Sequence, residues 1–434
     1  MRMIATLLAL GLVGACQEAP SSTAQSPAAT PADEQAEQEA RAVTVTIIAT
    51  VPEDAGDIFI TGNREELGPW NARGQLMDGE GRTRTTTLTM PEGFEFQFKL
   101  TGGTWNEEGV GPSGMVLPNF THTATANGNN EVEVEIFSFK RPVEEYIADP
   151  EGSGVLGTLV YWTDTESAFF DITRNVEVWL PPGYGEDPER RYPVIYMHDG
   201  QNLFDPRIAN TGTDWGVDEA MMANVEAGLH DPAIVVGIWS TSLRGYELSP
   251  WHGATNYARM ILEEIKPRVD AEFLTLTDRD NTYTMGSSMG GLVSMYLVRT
   301  HPDVFSACGC VATHVPLSPI IAQEYLGLET GDYTDLETPY LVQEAAANAS
   351  LPTDVRMYFD WGTEGLDALY PPVMAELEPW LEGQNLVAGE TYAYREFVGE
   401  THNEAAWRAR VHLQLAWLLG GIDPNTLDTD LSAP

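Results

Sequence analysis

The feature that most restricts this chain is a change of rhythm near residue 157. Beyond it, short apolar runs at residues 176–180, 194–197, 234–238, 282–285, 307–311, 355–359 and 392–397 alternate with helical patterns at 218–227, 256–269, 372–381 and 404–419. A run such as Ile234-Val235-Val236-Gly237-Ile238 has no polar face, which fits a strand covered on both sides. Strands that alternate with helices build a mostly parallel sheet with helices on both faces, because each crossover must pack back onto the sheet. Ahead of the break, period two prevails. Val43-Thr44-Val45-Thr46-Ile47, Phe94-Glu95-Phe96-Gln97-Phe98-Lys99-Leu100 and Val132-Glu133-Val134-Glu135-Ile136 each put apolar and polar residues on opposite faces. Turn formers such as Pro91-Glu92-Gly93 and Asn127-Gly128-Asn129 separate these runs, which predicts a small all-β, immunoglobulin-like sandwich.

The chain therefore divides into a targeting segment (1–16), a linker (17–42), a sandwich (43–140), a second linker (141–156), an α/β body (157–422) and a tail (423–434). Arg2 gives the first segment a positive start, and the apolar stretch at 4–13 is too short to span a bilayer as a helix. It ends in Val13-Gly14-Ala15-Cys16, which resembles the lipobox of bacterial lipoproteins. The resemblance implies cleavage before Cys16, its lipidation, and an extracytoplasmic place in the periplasm or at the outer membrane. Residues 17–39 are rich in Ala, Ser, Thr, Pro, Gln and Glu without apolar periodicity, the composition of a flexible tether.

Charge excludes one class of partner. There are 65 acidic residues against 23 basic ones, a net charge of -42, and such a surface repels nucleic acid and anionic headgroups. Cys16, Cys308 and Cys310 are the only cysteines, too few for a disulfide framework. The last two fall in an apolar run and read as small core residues rather than metal ligands. The expectation is no cofactor and no metal.

Gly286-Ser287-Ser288-Met289-Gly290 fits G-x-S-x-G, with a strand pattern before it and a helical run after it. A strand–serine–helix elbow is a tight turn that needs small neighbours, and Gly286, Gly290 and Gly291 supply them. It lifts the Ser288 hydroxyl out of the sheet and turns the Met289 amide toward a developing oxyanion. A serine hydroxyl needs a histidine base, itself oriented by an acid, and in this fold the order along the chain is Ser, acid, His. His314 comes too early in that order, and His412 falls inside the last helix. His402 sits in the loop between the last strand and the last helix, the place for the base. The loop after the preceding strand offers two acids, Asp367, the favoured one for its shorter side chain and position near the next helix, and Glu364. A second oxyanion donor belongs after an early strand, where His198-Asp199-Gly200-Gln201 turns out of residues 192–197, and the Gln201 amide is the choice. His198 fits the architecture of that loop better than the role of a base.

Residues 192–206 (YPVIYMHDGQNLFDP), 215–219 (WGVDE), 244–250 (RGYELSP) and the elbow GSSMGG together resemble the putative-esterase family, which holds esterase D, feruloyl esterases, enterochelin esterases and mycolyltransferases. The resemblance spans residues 176–419 and implies an α/β-hydrolase fold and acyl-ester chemistry. In feruloyl-type relatives the acid follows a Gly-Thr pair. Here Gly365 occupies the position where that acid stands, so the local pattern departs from the family's. The front domain is similar to glycan-binding sandwiches of the starch-binding type, on Ile58-Phe59-Ile60-Thr61-Gly62-Asn63, Glu66-Leu67-Gly68-Pro69-Trp70-Asn71 and the FEFQFKL strand followed by Trp105. That likeness implies Trp105, with Trp70 and Asn119, as glycan contacts, since exposed rings stack on sugar faces. Trp70 also reads as a core residue, and Asn119 lacks the arginine that follows it in starch-binding relatives.

The reading that results is a serine carboxylic ester hydrolase acting on acylated or feruloylated carbohydrate, with the membrane engaged only through the lipid anchor. A siderophore esterase of the enterochelin type and an acyltransferase are alternatives within the same chemistry. A glycan-binding surface lipoprotein without activity is the alternative of another class.

Overall fold

The computed structural model describes residues 42–427 apart from 69, 113–115, 127, 129, 319–338, 341–342 and 345–350. The targeting segment with Cys16, nearly all of the first linker and residues 428–434 lie outside the described residues.

Among the described residues the front region holds nine strands: β1 (Ala42–Thr50), β2 (Phe59–Gly62), β3 (Gln75–Leu76), β4 (Thr83–Pro91), β5 (Glu95–Thr101), β6 (Gly109–Val110), β7 (Phe120–Thr123), β8 (Glu131–Glu135) and β9 (Ser138–Phe139). One sheet has the order β4-β1-β8, a second β3-β2-β5-β7, and β6 pairs with β9. Alternation drives this assembly. In β1 the buried positions Val45, Ile47 and Ala49 join Ile60, Phe96 and Phe98 of the second sheet in one apolar cluster.

The body is an eight-stranded sheet of order β10-β11-β13-β12-β14-β15-β16-β17. Its strands are β10 (Thr158–Ser167), β11 (Phe170–Leu180), β12 (Val194–His198), β13 (Ile234–Ile238), β14 (Thr282–Ser287), β15 (Ala307–Val311), β16 (Arg356–Gly362) and β17 (Tyr392–Phe397). β10 with β11 and β11 with β13 run antiparallel, and all later neighbours run parallel. β12, β13, β14 and β15 are buried at every position, as their continuous apolar runs require. This strand order, with helices packed on the sheet, is the α/β-hydrolase architecture. Strand order reverses around β12, so a crevice opens beyond the carboxyl ends of β12 and β14.

Four expectations change in detail. The helix expected at 404–419 divides into Glu404–Arg408 and Val411–Gly420. Arg410 leaves helical geometry at the break, and its buried guanidinium reaches Asp360 Oδ1 at 3.1 Å. The helix expected at 372–381 divides into Pro371–Met374 and Leu377–Gly383. The second linker docks against the body: it carries the short helix Val143–Ile147, Leu156 N donates to Asp218 Oδ2 at 2.7 Å, and Trp179 Nε1 donates to Leu156 O at 2.6 Å. The start of the tail is likewise held, since Arg395 Nη1 donates to Pro424 O at 2.8 Å. Cys308 and Cys310 are buried side by side in β15, in the core where the sequence put them.

The sandwich also touches the body. Lys140 Nζ donates to Ile208 O at 2.9 Å. At Gly212, with φ +74, an added Cβ would meet Val116 O at 2.4 Å, so only glycine fits this approach. Among the described residues no helix is long and apolar enough to cross a membrane.

Candidate functional site

The elbow forms at the carboxyl end of β14. Ser288 has φ 56 and ψ -119, outside the regions that L-residues favour. Neighbouring backbone holds it there: Ser288 N donates to Val311 O at 2.9 Å, and His314 N donates to Ser288 O at 3.1 Å. A Cβ on Gly286 would meet Gly290 C at 2.7 Å, and one on Gly291 would meet Thr313 Oγ1 at 2.4 Å, so this turn closes only with glycine there. The helix Met289–Thr300 begins directly after the serine. Its first amide, on Met289, has no intrahelical acceptor and is available to an anion.

Gln201 lies in the turn Gly200–Asn202 just beyond β12, after Asp199 in left-handed geometry (φ 59). This turn and the elbow flank the same crevice, and Asp199 Oδ2 would lie 3.5 Å from a Cβ on Gly290. Met289 and Gln201 are therefore both at the crevice.

Asp367 and His402 meet. His402 Nδ1 donates to Asp367 Oδ1 at 2.5 Å, and the other carboxylate oxygen accepts from Gly362 N at 2.7 Å. Asp367 is fully buried at the first position of the turn Asp367–Leu369, while the His402 side chain keeps 13% exposure. Trp407 packs edge-on to the imidazole at 5.0 Å and Tyr370 at 6.0 Å. Glu364 is exposed, and its backbone amide donates to Glu400 O at 3.0 Å. A chain of contacts joins this pair to the elbow. His314, whose amide holds Ser288, places Nδ1 2.8 Å from Tyr370 OH, and Tyr370 lies against His402. Among the described residues the Ser288 hydroxyl itself makes no hydrogen bond, to His402 or to any other group.

The other histidines have different work. His198 ends β12, fully buried between Tyr257 OH and Thr284 Oγ1, each at 3.0 Å, and burial pushes its pKa down to about 4. Burial, and then the His402 and Arg244 charges, push His314 down to about 3. His412 is buried within Val411–Gly420.

In the sandwich, Trp70 is not a core residue. It follows β2 with φ 46 and is 37% exposed, and Trp105 in the turn after β5 is 41% exposed. The Trp70 backbone amide donates to Gly62 O at 2.8 Å. Asn119 Nδ2 donates to Gln97 Oε1 at 3.0 Å, across the β5–β7 pair.

The family model described as Putative esterase matches residues 167–418. The chain belongs to that family. Among curated relatives, this esterase-family chain is 25% identical over 263 residues to an "Endo-1,4-beta-xylanase/feruloyl esterase" of Xylanibacter ruminicola, covering 58% of this chain and 33% of that protein. It is 26% identical over 151 residues to "Putative esterase NocK" of Nocardia uniformis subsp. tsuyamanensis, covering 34% of this chain and 40% of that protein. The chain thus spans well under two thirds of the length of these relatives. Among solved structures, a ferulic acid esterase aligns at 18% identity and TM-score 0.47 over 61% of this chain and 98% of that one. The enterobactin esterase FES from Shigella flexneri aligns at 14% identity and TM-score 0.46 over 90% and 98%.

Sequence reasoning passed over two clusters. Arg244 forks onto Asp199, Nε to Oδ1 at 2.6 Å and Nη2 to Oδ2 at 2.7 Å. Both residues stand in the motifs quoted above, and a charged residue at the end of an apolar strand was the available signal. Asp214, Asp218 and Glu219 bring carboxylate oxygens within 4.8 Å of one another. Arg408 already bonds Asp214 Oδ2 at 2.5 Å and Glu219 Oε1 at 2.9 Å, so a protein cation occupies this cluster. Burial, and then Glu219, push the Asp218 carboxyl up to about 8.

Proposed function

We propose that this chain is a serine carboxylic ester hydrolase with Ser288 as nucleophile, His402 as base and Asp367 as the orienting acid. One observation carries the reading: the 2.5 Å bond from His402 Nδ1 to a buried carboxylate that is itself anchored by Gly362 N. That bond fixes the tautomer and leaves Nε2 as the acceptor. With substrate bound, the Ser288 hydroxyl turns to Nε2, a contact that often tightens only in the complex. Its oxygen attacks the ester carbonyl as Nε2 takes its proton. The Met289 and Gln201 amides stabilise the oxyanion, and the imidazolium returns the proton to the departing alcohol. Water, activated by His402, then releases the acid from Ser288.

The substrate class we infer is acylated or feruloylated carbohydrate. The name of the Xylanibacter relative and the two exposed tryptophans of the sandwich support it. A net charge of -42 disfavours anionic siderophore esters. Lipidation of Cys16 would hold the enzyme at a membrane, and Cys16→Ser should then release it to the soluble fraction.

The test is turnover of p-nitrophenyl acetate by wild type and Ser288→Ala, followed by a screen of acetyl, feruloyl, longer-chain acyl and trilactone esters. Ser288→Ala should lose about 10⁵–10⁶-fold in kcat. Equal rates for the two proteins would leave a glycan-binding protein without catalysis.

A further inference from the structure

Gly200 sits between Asp199 and Gln201, and both side chains face Ser240. On one side the Gln201 side chain is clamped at both ends of its amide. Its Nε2 donates to Ser240 Oγ at 2.6 Å, and its Oε1 accepts from Ser240 N at 3.0 Å. On the other side the Ser240 hydroxyl lies beside the Asp199 carboxylate and favours its charged form. Asp199 is in turn gripped by both arms of Arg244. Burial pushes the Asp199 carboxyl up, but the Arg244 charge and hydrogen bonds and the Ser240 hydroxyl hold it below the ordinary range, so it stays an acceptor.

We propose that Arg244, Asp199 and Ser240 form a positioning chain whose task is to aim the Gln201 backbone amide at the oxyanion. This deepens, and rests on, the esterase reading above. The peptide plane between residues 200 and 201 carries that amide. Two further constraints act on it: Leu203 N donates to the Gly200 carbonyl of the same plane at 3.1 Å, and a Cβ on Gly200 would meet Gly237 C at 2.5 Å, so the turn is pressed against β13. With the Gln201 side chain clamped by Ser240 and the Asp199 side chain by Arg244, the plane cannot rock without straining a hydrogen bond to a charged or half-buried group. A donor held before the reaction needs no reorganisation when negative charge develops, which is what makes such a donor effective. The chain also accounts for two motifs that the nucleophile, base and acid leave unexplained. Arg244 opens RGYELSP, and Asp199 and Gln201 belong to HDGQN. None of the three side chains has to touch substrate for this role.

The experiment compares full-length wild type, Ser240→Ala and Ser240→Thr on p-nitrophenyl acetate, with Ser288→Ala as reference and thermal melts of each. Ser240→Ala should lower kcat and kcat/KM together by about tenfold, less than deletion of a donor, with KM unchanged and the melting temperature near wild type. Ser240→Thr keeps the hydroxyl and should recover most of the loss. Arg244→Lys, which keeps the charge but not the fork, should show a milder fall in kcat and covers the case in which Ser240→Ala does not fold. Unchanged kcat in Ser240→Ala and Arg244→Lys overturns the proposal. So does a raised KM at constant kcat, which would make these residues substrate contacts. If wild-type turnover does not depend on Ser288, the esterase reading falls and this inference with it. Turnover that needs Ser288 but ignores Ser240 and Arg244 removes the inference alone.

Discussion

The sandwich and the α/β body both bury charged side chains, but they put them to different uses. In the sandwich, Arg84 donates to the carbonyls of Gly81, Ala55 and Gly56, and Lys99 pairs with Glu108 and donates to Leu117 O. Those contacts tie loops to strands. In the body, Asp199 with Arg244, Asp360 with Arg410 and Asp367 with His402 stand at or just beyond the carboxyl ends of β12 and β16. A buried charge survives only where its bonds are satisfied, so both regions meet the same requirement. The difference is topological. A parallel sheet gathers the ends of successive strands along one edge, where distant parts of the sequence meet. An antiparallel sandwich distributes its loops over both ends. One device therefore braces loops in the first region and gathers side chains from distant parts of the chain beside one crevice in the second.

The sharpest way to break this contrast is at the acid. Asp367→Asn should cut kcat on p-nitrophenyl acetate by about 10³–10⁴-fold, while Glu364→Gln stays near wild type. The reverse ranking would move the reactive pair off the buried carboxylate. Next in size is structural loss. Asp360 accepts from Arg410, Gln414, Tyr358 and the Ala312 amide, so Asp360→Ala should cost about 3–5 kcal/mol in a denaturant melt by stranding Arg410. Glu108→Ala strands Lys99 in the sandwich in the same way, and there turnover of the small ester should survive. If Glu108→Ala abolishes turnover, the two regions are not separable in function.

A smaller effect depends on pH. Buried His198 has its pKa lowered to about 4 from an ordinary 6.5. Between those values the unfolded chain binds a proton that the folded chain does not, so stability falls as pH drops through that window. The loss approaches about 3 kcal/mol near pH 4 and is absent above pH 7. In His198→Gln the melting temperature should vary less over that range, and an unchanged slope would assign the acid sensitivity to other groups. The smallest expected effect on catalysis is at Trp105. Trp105→Ala should leave p-nitrophenyl acetate turnover unchanged but remove retardation in gels containing xylan or soluble starch. Wild type that migrates freely in every polysaccharide would make the sandwich a scaffold only.

Legibility followed the range of the physical cause. β15 stands where its apolar run placed it, and the elbow glycines were readable because a strand–turn–helix needs small residues at adjacent positions. The break in the last helix was not readable. Arg410 looks like any helical arginine until Asp360, 50 residues away, draws it inward. Trp70 has a positive φ of 46 and stays 37% exposed, which no pattern of hydrophobicity encodes. The docking of the second linker rests on Asp218, 62 residues beyond Leu156.

By itself the sequence determined the class of each region, the serine at the elbow and the short set of residues able to serve it, because periodicity and turn chemistry act between near neighbours. Only the tertiary structure decided which acid meets His402. Asp367 and Glu364 are three positions apart and chemically alike, yet one is fully buried against an imidazole 35 residues away and the other faces water. That outcome is set by how β16 and β17 lie side by side in the sheet, a long-range pairing that no local pattern contains.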